Sequence, residues 1–166
     1  MALAQKIVPF LWFDNQAEEA AKFYVSVFGN SGVESVTRYG KAGVEAHGKP
    51  DGSVLIAVFR LEGQAFTALN GGPHFTFNEA VSFVVLCETQ AEIDHYWDKL
   101  REGGDEKAQH CGWLKDRYGV SWQVVPVALP AMLAGTDAAR SERVMSALLT
   151  MKKLKLAELR QAFEGT

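Results

Sequence analysis

The sequence has few of the features that identify whole classes of protein. Its two cysteines, Cys87 and Cys111, are too few for a disulfide framework, and their spacing matches no zinc motif. We expect two free, partly buried thiols, with a disulfide between them as the alternative. Because a disulfide scaffold and a zinc finger are excluded as the basis of the fold, the core must be built from apolar residues.

Positive charge is also scarce. The formal net charge is -3, and the longest run of basic residues is Lys152-Lys153, so no nucleic-acid partner is expected. No apolar run approaches the ~20 residues that span a membrane, which predicts no membrane partner. The N-terminus lacks the basic start and the small-residue cleavage site of a signal peptide. These absences together predict a cytoplasmic protein.

An internal repeat is the main feature that the sequence does contain. Its 166 residues, 48% of them hydrophobic, suit one domain or two small fused halves. A strand over residues 7–13 precedes a helix, and strands over 33–39, 53–61 and 64–70 follow. After a break at 71–73, a strand over 80–88 and a second helix begin the same order again. An offset of 74 residues places Phe13 on Cys87 and Phe23 on Trp97.

The boundaries of the elements follow from local signals. Asn15 with Glu18 resembles a capping box at the start of the first helix, and Thr89 with Glu92 is a capping box at the start of the second. Residues 40–52 are predicted to form a flexible loop. The predicted division is a first module over 1–72, a second over 73–130 and a helical tail over 131–166. Two helices are expected in the tail, which either packs on the body or across a dimer, or binds a partner.

The segment over residues 109–126 is the densest mixture of polar and aromatic side chains. Asp116 and Gly119 occupy the first and fourth positions of a predicted type I turn, which makes a hairpin. Side chains alternate along the return strand, so one face is apolar and the other is mixed. The mixed face carries Ser121 and Gln123, and we expect a ligand there.

Two stretches give the chain a family resemblance: PFLWFDNQAEEAAKFYVSVFG and CGWLKDRYGVSWQVVP. With the repeat, they resemble the vicinal oxygen chelate superfamily of glyoxalases, bleomycin resistance proteins and extradiol dioxygenases. The most similar branch is the PhnB-like one, often labelled 3-demethylubiquinone-9 3-methyltransferase. The resemblance implies an α+β fold of paired βαβββ modules that form a cup, here with a helical C-terminal tail, and a homodimer.

Metal-dependent members of that superfamily place His or Glu on four strands. The resemblance carries these positions to residues near Pro9, Thr67, Phe83 and Gln123, none of which is a good ligand for a divalent metal. No two histidines have the i, i+4 spacing of a helical metal site. His110 and Cys111 are adjacent on a strand and point to opposite faces, which does not favour a catalytic pair. The sequence therefore predicts no metal and no cofactor.

The cup is predicted from alternation along the strands. Leu11 and Phe13 are assigned to its face, while Trp12 and Trp122 are assigned to the helix side. The aromatic residues either line an apolar pocket or form plain core. The candidate ligand-binding residues are Leu11, Phe13, Thr67, Asn70, Phe83, Trp113, Ser121 and Gln123.

The predicted function is metal-independent binding of a small organic molecule, with catalytic residues, if any, unknown. One alternative is a metal-dependent lyase, isomerase or dioxygenase, and another is a structural dimer with a filled cup. Methyl transfer is not expected. A Gly-rich strand-to-helix turn commonly holds a methyl donor, whereas residues 14–16, which follow the first strand, contain no glycine.

Overall fold

A computed structural model describes residues 5–165 of the chain. The chain divides into two compact units, Met1–Thr76 and Phe77–Thr166. The C-terminal helices belong to the second unit. Both cysteines are free thiols, as predicted, with Cys87 buried and Cys111 half-buried.

The first unit has the predicted order of strand, helix and three strands. These elements are β1 (Phe10–Phe13), α1 (Ala17–Val27), β2 (Gly32–Arg38), β3 (Val54–Leu61) and β4 (Gln64–Asn70). The sheet has the order β1-β4-β3-β2, with β1 parallel to β4 and the other pairs antiparallel. The loop predicted over 40–52 contains a short helix, α2 (Val44–His47).

The start of α1 differs from the prediction. Asn15 does not cap it; the N-cap position is Gln16, which makes no capping bond with its side chain. The cap comes instead from β4, where the Asn70 Oδ1 accepts a hydrogen bond of 2.8 Å from the Ala17 N–H. Glu18 pairs with Lys22 at 2.7 Å instead of closing a capping box. A contact distant in sequence thus replaces the local cap.

The second unit begins with the same order of elements. These are β5 (Phe83–Cys87), α3 (Gln90–Leu100), β6 (Trp113–Lys115) and β7 (Ser121–Pro126), with the sheet order β5-β7-β6. The predicted capping box of α3 is confirmed, because Thr89 Oγ1 accepts from the Glu92 N–H and the Glu92 carboxylate accepts from the Thr89 N–H. Over residues 77–165 this sheet has three strands, one fewer than the first. A short 3₁₀ turn, Glu106–Ala108, lies where the extra strand would precede β6.

Strand pairing shows that the internal repeat is structural. In the first unit Phe10 is the register partner of Thr67, and in the second Val84 is the register partner of Gln123. Phe10 and Val84 are related by the 74-residue offset of the repeat, and Thr67 and Gln123 are the residues that the closing strands align. Each position on one parallel strand pair therefore has a counterpart on the other.

The C-terminal segment forms three helices: α4 (Leu129–Leu133), α5 (Ala138–Leu149) and α6 (Leu156–Glu164). The two longer ones are the predicted pair. Together with Met151 and Leu154 they bury an apolar cluster that includes Val125 of β7. The packing of the tail against the body that we expected as one alternative is therefore present within this unit.

Polar bonds fix the turn between α5 and α6. The Gln90 side chain donates to the Leu154 carbonyl at 3.1 Å and accepts from the Leu156 N–H at 2.8 Å. The Cys111 and Gly112 N–H groups donate to the carbonyls of residues 151 and 152 at 2.7 and 2.9 Å. The tail thus supplies hydrogen-bond acceptors beside the chain that leads into β6.

The predicted fold class is confirmed as mixed α+β with C-terminal helices. No helix within residues 5–165 combines the length and the apolar character needed to cross a membrane.

Candidate functional site

Each sheet has one face that a helix covers, and in the second unit that helix is α3. Ile93, Trp97 and Leu100 of α3 are buried, and so are Val85, Leu114, Trp122 and Val124 of the strands. Because side chains alternate along a strand, the residues that lie between these buried ones point away from α3. We call this set the open face; its members are Ser82, Val84, Leu86, Trp113, Lys115, Ser121 and Gln123. Val125 points to the same side but is covered by the C-terminal helices.

A polar row crosses one end of the open face. The row consists of Lys115, Ser121 and Ser82. Lys115 is the direct cross-strand partner of Ser121, and Ser82 is the residue immediately before β5, on the other side of β7. Ser121 is only 2% exposed, and its Oγ has no hydrogen-bond partner among the described residues. Buried hydroxyls are nearly always bonded, and leaving one unpaired costs about 1–3 kcal/mol. Among the described residues, this hydroxyl is the one buried side-chain polar group without a hydrogen-bond partner.

Gln123 joins the polar row to the rest of the face. Its Nε2 donates to Ser82 Oγ at 2.9 Å, which links β7 to the start of β5. A side-chain amide also carries an acceptor oxygen, and a serine hydroxyl can both donate and accept. The row thus offers neutral donors and acceptors around the Ser121 hydroxyl.

Lys115 supplies the one positive charge among the seven side chains of the open face. Its side chain is 23% exposed, and its Nζ lies 2.5 Å from Oε1 of Glu79, in the turn before β5. The hydrogen bond from Lys115 is the largest cause that lowers the pKa of Glu79 below its usual range. The Glu79 carboxyl is therefore ionised at neutral pH.

The other end of the face is apolar. Trp113 pairs across the strands with Gln123 and is half-buried. Val84 and Leu86 are 52% and 60% exposed, which is high for aliphatic side chains on a sheet. These three residues form an apolar surface beside the polar row.

Asp116 holds the hairpin that carries this face. Its Oδ1 accepts from the Tyr118 and Val120 N–H groups at 2.8 and 3.0 Å, and its Oδ2 accepts from Trp122 Nε1 at 2.8 Å. The predicted turn is confirmed: the Gly119 N–H bonds the Asp116 carbonyl at 2.9 Å, and Gly119 has a φ of 85°. A buried carboxylate thereby fixes β6 relative to β7.

A glycine allows the chain after α3 to pass close to β6. A Cβ on Gly104 would lie 1.9 Å from the carbonyl oxygen of Lys115. A larger residue there must displace the backbone of Lys115, the residue that carries the charge of the face.

Comparison with known proteins identifies the family. Residues 5–125 match the family model described as 3-demethylubiquinone-9 3-methyltransferase. The chain belongs to this family. A PhnB protein from Bacillus cereus is 39% identical, over 74% of this chain and 100% of that chain, with a TM-score of 0.65. The predicted PhnB-like family is confirmed.

Two other solved structures share the fold of this PhnB-like chain at lower identity. Protein PA1353 from Pseudomonas aeruginosa is 22% identical, over 74% of this chain and 98% of that chain, with a TM-score of 0.57. The fosfomycin resistance protein FosX from Mesorhizobium loti is 12% identical, over 80% of this chain and 99% of that chain, with a TM-score of 0.54. A search among curated proteins finds no match. Helices α4 to α6 lie outside the residues that match the family.

Half of the residues predicted to line the cup of this PhnB-like chain lie on uncovered sheet faces. In the second unit these are Trp113, Ser121 and Gln123. In the first unit it is Thr67, whose register partner Phe10 is 57% exposed. Their role in ligand binding stays a prediction.

The other half lie on the faces covered by helices, so the prediction of their direction is wrong. Leu11 and Phe13 pair in register with Ala68 and Asn70, and Asn70 caps α1. These residues are buried beneath the helix. Phe83 pairs in register with Trp122, and their ring centroids are 5.4 Å apart.

Of the two tryptophans that were predicted to lie on the helix side, one does and the other does not. Trp122 lies there as expected, whereas Trp12 lies on the opposite face, where its Nε1 donates to the Gly72 carbonyl at 2.8 Å. The physical reason is that both faces of β1 are apolar. Alternation therefore separates two sets of residues without showing which set a helix covers.

Four residues of the open face were missed from the sequence: Ser82, Val84, Leu86 and Lys115. Ser82 and Lys115 join the site because they flank Ser121 in register, and Glu79 joins it through Lys115. The signal was the alternation about Gln123, extended to its partner strands. This alternation identifies the residues only when the pairing of the strands is known.

The donors of the open face do not fit a divalent metal. They are hydroxyls, an amide and an ammonium group, whereas such an ion prefers imidazole, carboxylate or thiolate. No group of three or more His, Cys, Asp or Glu side chains within residues 5–165 is placed to hold a metal ion. Phe83, one of the positions carried over from metal-dependent relatives, faces the helix.

Proposed function

We propose that the protein binds a small organic molecule on the open face of the second unit without a metal. The observation that carries this proposal is the Ser121 hydroxyl, which is buried and has no partner within the described chain. A ligand atom that bonds this hydroxyl removes an energetic penalty of about 1–3 kcal/mol. The complex is thereby favoured over the free protein.

The composition of the face supports the proposal. Binding sites for small molecules are mostly apolar, with a few polar groups that fix orientation. Here Trp113, Val84 and Leu86 supply apolar surface, and Ser121 and Gln123 supply hydrogen-bonding groups. None of these five side chains is an acid or a base in the ordinary pH range, so we propose binding rather than catalysis.

Exposed apolar residues also support a homodimer. Phe10 of β1, which lies outside the open face, is 57% exposed on a sheet face that α1 does not cover, and Ile7 before it is 88% exposed. Covering such surface with a second copy of the chain removes apolar area from water. Light scattering coupled to size-exclusion chromatography tests this directly: a dimeric mass is expected, and a monomer contradicts it.

A cytoplasmic location stays a prediction from the sequence.

Two other activities are less well supported. A metal-dependent lyase, isomerase or dioxygenase requires ligands that the open face does not offer. The family description names methyl transfer, but residues 14–16 after β1 and 88–90 after β5 contain no glycine of the kind that holds a methyl donor. We therefore propose neither activity for this chain.

Native mass spectrometry with added Ni, Zn, Mn and Fe(II) comes first, followed by a thermal-shift ligand screen in the presence of a chelator. We expect no stoichiometric metal, and ligands that raise the melting temperature of the chelated protein. Ser121→Ala should abolish the shift, whereas Thr67→Ala, at the position of the first unit that matches Gln123, should keep it. One tightly bound ion per chain, or ligands that act only with metal, would contradict the proposal.

A further inference from the structure

We infer that the ligand of the open face is an aryl carboxylate, and that Glu79 occupies the place of its carboxylate in the free protein. The inference rests on the proposed function and adds the chemical class of the ligand. It starts from the charge on the face: Lys115 is the one charged residue there, and it is three-quarters buried. A partly desolvated ammonium group attracts an anion more strongly than an exposed one does.

Glu79 shows that a carboxylate fits beside Lys115. It lies in a turn outside the sheet, its side chain is 59% exposed, and its carboxylate reaches Lys115 Nζ at 2.5 Å. An ion pair with so exposed a partner contributes little to stability. Its replacement by an external carboxylate therefore has a small penalty.

An external carboxylate makes one bond more than Glu79 makes. Lys115 and Ser121 are direct cross-strand partners, so their Cβ atoms lie about 4.5–5.5 Å apart. A carboxylate has two oxygens, and one can accept from Lys115 while the other accepts from the Ser121 hydroxyl. Because that hydroxyl is buried in the free protein, the side chains that cover it move aside for the second bond to form. Glu79 leaves that hydroxyl unpaired. A bond from a buried hydroxyl to a charged acceptor is expected to improve affinity about 10- to 100-fold.

The aromatic part of the inferred ligand follows from the residues that neighbour Lys115 and Ser121. Trp113 lies two residues before Lys115 on β6 and therefore on the same face, and Val84 pairs with Gln123 beside it. A flat ring attached to the carboxylate extends from the polar row over these apolar side chains. Stacking on an indole ring and burial of aliphatic surface both favour an aromatic body.

The internal repeat supplies a matched control. Arg60 of β3 is the register partner of Ala65, as Lys115 is of Ser121, and Arg60 is ion-paired with Glu34. The first unit thus has the charge pair without the buried hydroxyl. Releasing Arg60 from Glu34 should create no comparable site.

The test compares 2-naphthoate with its neutral counterpart 2-naphthamide, by calorimetry and by NMR of the full-length protein. Naphthoate should bind at least about 10-fold more tightly. Glu79→Gln removes the competing carboxylate and should tighten naphthoate binding about two- to fivefold without changing naphthamide binding. Lys115→Met should abolish the preference for the carboxylate, and Glu34→Gln should change neither affinity.

The outcomes separate this inference from the proposed function. Equal binding of the two probes on the open face overturns the carboxylate inference and leaves the proposed function standing. An equal effect of Glu79→Gln and Glu34→Gln also overturns it, because the charge would then act at long range. If neither probe perturbs the resonances of the open face, the inference fails. The proposed function itself fails if no member of a broad ligand screen perturbs that face. Circular dichroism of each variant excludes unfolding as the cause of any lost binding.

Discussion

Ser121 and Ala65 occupy equivalent positions in the two sheets, and only Ser121 buries a hydroxyl there. Each lies two residues before the aligned pair Gln123 and Thr67, and each faces a basic residue across the strands. Ala65 is 9% exposed and Ser121 is 2% exposed. The repeat therefore provides the same sheet position with and without an unpaired hydroxyl.

Ser121→Ala should leave the fold intact and stabilise the unliganded protein by up to about 1 kcal/mol, because it removes a buried group that lacks a partner. Ala65→Ser should destabilise the protein by about 1–3 kcal/mol, because it creates one. Urea denaturation of both variants measures these changes. A loss of more than 1 kcal/mol in Ser121→Ala would show that the hydroxyl is already bonded in the free protein.

Asp116→Ala should be strongly destabilising, by about 3 kcal/mol or more. The substitution leaves two backbone N–H groups and the Trp122 indole N–H without their acceptor in a buried turn. Asp116→Asn keeps one acceptor oxygen and should lose less. Denaturation followed by tryptophan fluorescence ranks the variants, and equal stability of Asp116→Ala and the natural protein would contradict the role of the turn.

Gln90→Ala should loosen the C-terminal helices. The substitution removes both bonds to the turn that contains Leu154 and Leu156, at an expected loss of about 1–2 kcal/mol. The control is Gln16→Ala at the equivalent position of the first unit, where the side chain bonds only the neighbouring Asn15 N–H. Hydrogen exchange of the Leu156 amide should accelerate in the first variant alone. Unchanged exchange in both would show that apolar packing by itself holds the tail.

The two thiols should differ in reactivity. Burial is the main cause that raises the pKa of Cys87 to about 11, so its thiolate is scarce at pH 8. Alkylation by iodoacetamide at that pH should modify Cys111 first in the folded protein and both residues in denaturant. Mass spectrometry of the digested product checks this, and rapid modification of Cys87 in the folded state would contradict it.

The same pKa gives a dependence of stability on pH. An unfolded thiol ionises near its ordinary pKa of 9.0, whereas folded Cys87 stays protonated until about pH 11. The folded state therefore binds more protons in this window, and stability contributed by Cys87 is complete below pH 9 and is lost as pH rises towards 11. Cys87→Ala should flatten this part of the stability profile.

Local signals in the sequence predicted the parts of the fold that local interactions determine. The capping box at Thr89, the turn at Asp116 and the bounds of β4 are each set by residues close together in the chain. The start of α1 was predicted wrongly because its cap, Asn70, lies 53 residues from Ala17 in the chain. No local pattern encodes a bond of that kind.

The site was half predictable for a similar reason. Alternation grouped Ser121 with Gln123 correctly, because one face of β7 is apolar and only the other carries polar side chains. It failed for Leu11 and Phe13, because β1 is apolar on both faces and the helix settles which side is buried. Lys115 and Ser82 could not be found from the sequence, since their place depends on the register of three strands.

The most direct test of metal-independent binding on the open face is chemical-shift mapping of the labelled protein in the presence of EDTA, during titration with a library of aromatic ligands. Perturbations are expected to centre on Ser82, Trp113, Lys115, Ser121 and Gln123, and to be lost in Ser121→Ala. Binding that appears only after a divalent metal is restored, or that maps away from these residues, would contradict it.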